Sequence, residues 1–380
     1  MRGLVWLLMF PLLAACSSDG SAPARSVGSA NLALRYLRAQ DEPGFARAVE
    51  ARPLVFPTDH GSHPEFRTEW WYFTGNLESD KGVAYGFELT FFRVALRPQG
   101  APGAGASQWR SDQVWLAHLA VTDTARHAFE VRERSAREAL GLAGASRLPV
   151  TVWVKGWKAE RTSADEGEQW RLTADDADLG LALDLVADRA PVLNGAAGLD
   201  RKGPEPGNAS YYYSMPRLRA TGFLRVGGGR QIAVHGNAWM DREWSTSALS
   251  DETVGWDWFG LRLSDGGSLM FYRLRRADGA AGEFSGGTLV DGRGQPTHLG
   301  PRDVELEARD FWRSPVSGVD YPIAWRLRVP ARRLAIDLEP YLSDQEVNVS
   351  VRYWEGAVRG SGEGEAGPLT VDGYLELAGY

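Results

Sequence analysis

The residues with the clearest capacity for chemistry lie in the run His235-Gly236-Asn237-Ala238-Trp239-Met240-Asp241-Arg242-Glu243-Trp244. Read as a strand, its alternation sets His235, Asn237, Trp239 and Asp241 on one face, pointing into a barrel. A buried polar group without a partner costs roughly 1–3 kcal/mol, so such a row implies a network or a pocket. A carboxyl walled by indoles holds its proton more tightly, because desolvation disfavours the charge. That is how a carboxylic acid becomes a general acid near neutral pH, and it makes Asp241 and His235 the catalytic candidates. The alternative is a structural salt bridge between Asp241 and an arginine.

Two further segments concentrate polar and aromatic groups. Phe56-Pro57-Thr58-Asp59-His60-Gly61-Ser62-His63 leads through Glu65 to Glu69-Trp70-Trp71-Tyr72 and holds two of the six histidines. His-x-x-His beside carboxylates can hold zinc when the fold adds a third ligand. A capped turn before a strand explains the same residues, and neither a metal nor a cofactor is expected. Tyr211-Tyr212-Tyr213-Ser214 presents phenols on both faces of a strand start. The expected ligand contacts are Tyr212, Trp239, Asn237, Trp71, Glu69 and His60, with Glu69 and His60 closing one end of the pocket. No Gly-x-Ser-x-Gly elbow, phosphate loop or dinucleotide fingerprint occurs in a strand-to-helix context.

Strands must position these groups. The chain carries 15 Trp, 12 Tyr and 14 Phe, residue types that favour sheets. Helix signals are confined to a short lead-in at 31–37 and 43–51. Phe87, Leu89 and Phe91 alternate with Glu88, Thr90 and Phe92, the pattern of a half-buried strand. Further strands are expected at 115–123, 151–157, 169–173 and 179–186. Hairpins are expected where 221–226 and 231–239 flank Gly227-Gly228-Gly229, and where 256–263 and 268–274 flank Asp265-Gly266-Gly267. Later strands fall at 323–329, 334–338, 347–354 and 371–377. Evenly spaced strands with glycine turns read as an all-β chain of barrels or sandwiches. Gly198 to Asn208 has the composition of a linker, but the division is placed between 240 and 241, so that the hairpin completes a first domain over 51–240 and a second covers 241–380.

The amino-terminal residues set an expected address. Met1-Arg2, the apolar run from Leu4 to Leu13, and Leu13-Ala14-Ala15-Cys16 form a secretion signal ending in a lipobox. Residues 1–16 are read as signal and acylated cysteine, and 17–50 as tether and lead-in. Cys16 is the only cysteine, so a disulfide within the chain and a thiolate metal cluster are excluded. Ser17 and Ser18 follow without an aspartate beside the cysteine, which points to the outer membrane facing the periplasm. The membrane is expected to be met through the lipid anchor only. The net charge of −7 excludes a nucleic-acid surface.

The same segments carry a resemblance. Phe56-Pro57-x-Asp59-His60-Gly61-x-His63-Pro64, Glu69-Trp70-Trp71-Tyr72-x-Thr74-Gly75-Asn76-Leu77 and Gly236 to Trp244 resemble the AttH-like and carotenoid 1,2-hydratase-like lipocalin superfamily. So do Tyr353-Trp354-Glu355-Gly356-Ala357-Val358 and Gly373-Tyr374-Leu375-Glu376-Leu377-x-Gly379-Tyr380. The resemblance implies two tandem lipocalin-like β-barrels packed side by side, with a pocket for a long apolar molecule. In the hydratase branch an aspartate protonates an alkene and water captures the cation. By motif, Asp241 stands at that aspartate and Trp239 at the aromatic position two before it. The His-x-Trp pair of that branch is replaced here by Tyr212-x-Ser214. The expected function is binding of an apolar or amphipathic small molecule, with hydrolysis or hydration through Asp241. A carrier of a lipid or other hydrophobe is the alternative, and a packing role for the aromatics ranks behind both.

Overall fold

The structure, a computed structural model, describes residues 43–100, 111–164, 167–246 and 248–380. Cys16, the signal run, most of the tether and the lead-in at 31–37 lie outside the described residues. The first sheet contains β1 (Thr68–Ser79), β2 (Ala84–Ala95), β3 (Gln113–Asp123), β4 (Ala128–Arg137), β5 (Ala143–Ser146), β6 (Thr151–Val154) and β7 (Trp157–Ala164). It continues with β8 (Gly167–Asp175), β9 (Gly180–Ala187), β10 (Val192–Leu193), β11 (Leu199–Arg201), β12 (Ala209–Arg225) and β13 (Ile232–Ser245). The second contains β14 (Thr253–Leu263), β15 (Ser268–Arg276), β16 (Gly286–Val290), β17 (Pro296–Leu299) and β18 (Glu305–Arg313). Its remaining strands are β19 (Asp320–Val329), β20 (Leu334–Pro340), β21 (Glu346–Asn348), β22 (Arg352–Gly364) and β23 (Gly367–Ala378).

Neighbouring strands pair antiparallel, in the order β4-β3-β2-β1-β13-β12-β9-β8-β7-β6-β5 and β17-β16-β15-β14-β23-β22-β20-β19-β18. Each sheet curls around its own apolar core as a barrel or half-barrel. The two lie side by side, as a tandem lipocalin-like fold requires.

β13 runs unbroken to Ser245, and the second sheet begins at Thr253. The division expected between 240 and 241 therefore falls inside a strand. The cause is pairing: β1 stays in register with β13 from Thr68↔Ser245 to Ser79↔Val234, which holds residues 241–245 in the first sheet. Residues 43–51 form a turn and extended chain rather than a helix. Gly44 takes a φ of 102°, and Phe45 and Ala48 are buried beneath it. The expected strand at 151–157 is two strands, split by a tight turn at Lys155 (φ 47°) and Gly156 (φ 88°).

The pleat explains the aromatic content. Trp71 and Phe73 point into the first barrel with Phe87, Leu89 and Phe91. The alternate residues Trp70 and Tyr72 point outward and meet Trp239, Trp258 and Tyr374 in a separate cluster between the barrels. Glu88 and Thr90, expected on a solvent face, are fully buried because the second barrel covers that face. Both sides of β1 over 68–77, of β2 over 85–95 and of β13 over 238–245 are thus interior. Polar contacts join the seam: Asn76 Nδ2 donates to Gly373 O at 3.1 Å, and Thr122 Oγ1 donates to Gln345 Oε1 at 2.6 Å.

Gly86 lies at a close approach of the two barrels. A Cβ there would fall 2.5 Å from the Cβ of Ala357 and 3.0 Å from the Tyr374 hydroxyl. Gly86→Val is expected to cost about 1–3 kcal/mol, the usual penalty of overpacking, and to wedge the barrels apart. Small-angle scattering would register a larger radius of gyration, and tryptophan emission would shift to the red.

Candidate functional site

The outward faces of both barrels enclose a cavity of about 180 Å³. Aromatic residues form much of its wall: Trp70, Tyr72, Tyr212, Trp256, Trp258 and Tyr272. A dry cavity of roughly 150 Å³ takes up a benzene-sized molecule, so this one suits a compact apolar group or one end of a longer chain.

Asp241 enters from β13 and is buried. Trp239 Nε1 donates to its Oδ1 at 2.7 Å, and Ser214 Oγ donates to the same oxygen at 2.6 Å. The Tyr212 hydroxyl donates to Oδ2 and accepts from Trp258 Nε1 at 3.0 Å. Asn194 Nδ2 in turn donates to Ser214 Oγ at 2.9 Å. The β12–β13 register, Ser214↔Asp241 and Tyr212↔Glu243, places these groups side by side. Burial pushes the Asp241 carboxyl up to about 7, although the donors Ser214, Tyr212 and Trp239 pull the other way. No arginine pairs with Asp241 among the described residues, so the expected salt-bridge alternative does not form.

Glu376, on β23 of the second barrel, enters the same cavity and accepts from Trp256 Nε1 at 2.6 Å. Burial lifts its carboxyl to about 8; the Trp256 bond opposes this, and the charges of Glu88, Asp241 and Glu243 add to it. One cavity therefore holds two carboxyl groups that exchange protons near neutrality, each held by an indole and supplied by a different barrel. Lys202 adds a cation to the lining. Its ammonium bonds Glu243 and lies 3.7 Å from Asp200, above the faces of Tyr212 and Tyr272 at 5.1 and 5.2 Å.

Both raised carboxyls make stability fall with pH. Their contribution is complete below the unfolded carboxyl range, near pH 4, and is lost as pH rises through about 7 for Asp241 and about 8 for Glu376. Within those windows each group removes about 1.4 kcal/mol per pH unit. Urea unfolding at stepped pH is expected to show a declining midpoint across this range, and a shallower decline in Glu376→Gln.

The other candidates take different places. Tyr212 and Trp239 lie with Asp241. His235 and Asn237 share its strand face but sit farther along, beyond the edge of the seam, where both are exposed. The row points out of the first barrel rather than into it, because Ala238 and Met240 supply the inward face. Trp71 is inside the first barrel, donating to His60 O at 2.9 Å, with the Arg242 guanidinium 3.7 Å from its ring centre. His60 is buried there too, its Nδ1 2.5 Å from the Tyr213 hydroxyl. Glu69 reaches the cavity wall, but Arg242, Arg93 and His63 occupy its carboxylate. Burial alone would raise that carboxyl; the two arginines and His63 hold it well below the usual range.

His60 and His63 do not converge on a common centre. His63 bridges Asp59 at 2.9 Å and Glu69 at 2.8 Å, and His60 faces Tyr213 and Glu168. Glu376, Lys202, Glu243 and His118 also line the cavity, although local sequence pattern alone does not mark them as ligand contacts. Lys202 lies in the apparent linker at 198–208, which folds back as β11 against β12. The alternation Asp200-x-Lys202 was the available signal there, as Trp256-x-Trp258 and Tyr374-x-Glu376 were in the second barrel.

A family model described as AttH-like matches residues 47–380. Among solved structures, an AttH protein from Nitrosomonas europaea is 33% identical with a TM-score of 0.79, covering 88% of this chain and 100% of that one. Kievitone hydratase from Nectria haematococca is 16% identical with a TM-score of 0.66, covering 88% of this chain and 98% of that one, a likeness of fold. No curated protein matches.

Proposed function

The chain belongs to the AttH-like family, and from that premise we propose that it binds an apolar or amphipathic alkene between its barrels and hydrates it, with Asp241 as the acid. One observation carries the reading: a buried carboxyl with a value of about 7 sits in an aromatic-walled cavity. A carboxyl so poised is half-protonated near neutral pH, the condition under which general acids work best. Protonating an alkene leaves positive charge on carbon. The rings of Trp258, Tyr72 and Tyr212, which line the cavity with the acid, can stabilise it, as aromatic rings do for cations. Ester or amide hydrolysis draws on the same acid but develops no cation on carbon for the aromatic rings to stabilise. Anchoring in the cell envelope through Cys16, at the outer membrane, belongs to the same proposal and rests on the lipobox sequence.

Carriage of a hydrophobe is the second reading. It is favoured by the three donors already occupying the Asp241 oxygens, which would serve as a closed structural network. Native mass spectrometry of the protein from its own envelope, with extraction of the bound molecule, tests the shared premise. A co-purifying alkene or its tertiary alcohol is expected. A protein that is consistently empty and takes up no isoprenoid would remove both readings.

A further inference from the structure

The cavity has a second polar end, away from Asp241. His118 from β3 and Tyr353 from β22 both line it. The Tyr353 hydroxyl lies 2.7 Å from His118 Nδ1, and His118 Nε2 lies 3.1 Å from Glu133 Oε2 on β4. His118 is 1% exposed and the Glu133 side chain 20% exposed, so this line of contacts starts in the cavity and ends at water. Ser350 fixes the outer end, its backbone N–H and hydroxyl both donating to Glu133 Oε2. Glu88 stands behind the inner end, 3.1 Å from the Tyr353 hydroxyl.

The order of groups is consistent with one direction of transfer. His118 and Ser350 hold the Glu133 carboxyl below its ordinary value, although burial acts to raise it, so the outer group is an ionised acceptor. The Tyr353 hydroxyl also donates to Glu88 Oε1 at 3.1 Å, a longer contact than its 2.7 Å approach to His118 Nδ1, and burial pushes the Glu88 carboxyl up. A hydroxyl, an imidazole and a carboxylate in sequence, each within bonding reach of the next, form the arrangement by which side chains move protons.

We propose that Tyr353, His118 and Glu133 form a proton relay from the cavity to solvent, a second proton-handling site that removes the proton released when water adds to the cation. This rests on the hydration reading. In that step the Asp241 proton forms a C–H bond and water forms the C–O bond. The water's O–H then breaks, its proton passing to the Tyr353 oxygen. The Tyr353 proton passes to His118 Nδ1, the Nε2 proton passes to Glu133, and Glu133 releases it to solvent. Asp241, left as carboxylate, regains a proton from water as product leaves.

The test uses 2-naphthol, a cavity-sized phenol that becomes a much stronger acid on excitation and emits differently as naphthol and naphtholate. It is not hydrated, so the outcome does not depend on Asp241 chemistry. In the wild-type protein, bound 2-naphthol is expected to emit mainly as naphtholate. Tyr353→Phe and His118→Gln are expected to bind it within about twofold of wild type and to lose the naphtholate-to-naphthol ratio by about tenfold or more. Glu133→Gln, at the partly exposed end where folding is least at risk, is expected to give an intermediate loss. Unchanged naphtholate emission in these variants would overturn the relay while leaving the hydration reading standing. Failure of the wild type to bind the probe would overturn the relay together with the cavity that it serves.

Discussion

Asp241→Asn is expected to bind farnesol, an acyclic isoprenoid alkene with a polar end, within about twofold of wild type while hydrating it about 10²–10⁴-fold more slowly. The substitution preserves shape and most bonds. The amide oxygen still accepts from Trp239 Nε1 and Ser214 Oγ, which lie 2.7 and 2.6 Å from Oδ1 in the native protein. The amide nitrogen faces the Tyr212 hydroxyl, which would turn to accept from it while still accepting from Trp258. Only the transferable proton is lost. The loss should fall on kcat and leave binding intact, the signature of an interaction made in the transition state. A carrier would show no difference at all between the two proteins.

Glu69→Gln is expected to destabilise the protein by about 3–5 kcal/mol, read from urea unfolding at neutral pH. Glu69 is wholly buried between two arginines that are themselves buried: Arg93 Nε at 3.0 Å, and Arg242 Nη2. His63 Nδ1 adds a contact at 2.8 Å and stacks on Trp244 with ring centres 3.8 Å apart. Neutralising the carboxyl leaves two guanidinium groups buried without their counter-charge, and that residual charge dominates the cost. Catalysis should be affected less than stability, because this network fastens the entry segment 59–63 to β1 and β13 inside the first barrel. Arg242 Nε donates to His60 O at 3.2 Å and Arg93 Nη2 to His63 O at 3.0 Å, so both arginines also satisfy backbone carbonyls there.

Architecture was readable from strand alternation and turns. The alternation of Phe87, Leu89 and Phe91 marks one face of β2, and the glycine-rich turns mark the β12–β13 and β14–β15 hairpins. Sequence pattern missed the second buried face. Glu88 and Thr90 alternate with Phe87, Leu89 and Phe91 just as solvent-facing groups would, and only the neighbouring barrel makes them interior. His235 and Asn237 illustrate the converse. They share the period of Asp241 but lie past the limit of the seam, a boundary set by where two sheets cross and not by spacing along one strand. Asp241, Trp239 and Tyr212 were legible because their motif is local. Glu376 and His118 were not, since they come from β23 and β3 and meet only when both barrels are assembled.

The most direct test of the account is to incubate the protein with farnesol in deuterated water and follow carbon-bound deuterium by mass spectrometry. If Asp241 protonates carbon, the product gains the elements of water and one deuterium that does not wash out in ordinary water, and Asp241→Asn abolishes the gain. Farnesol that binds tightly and returns without carbon-bound deuterium would contradict the account, leaving Asp241 as a structural carboxyl and the cavity as a carrier's.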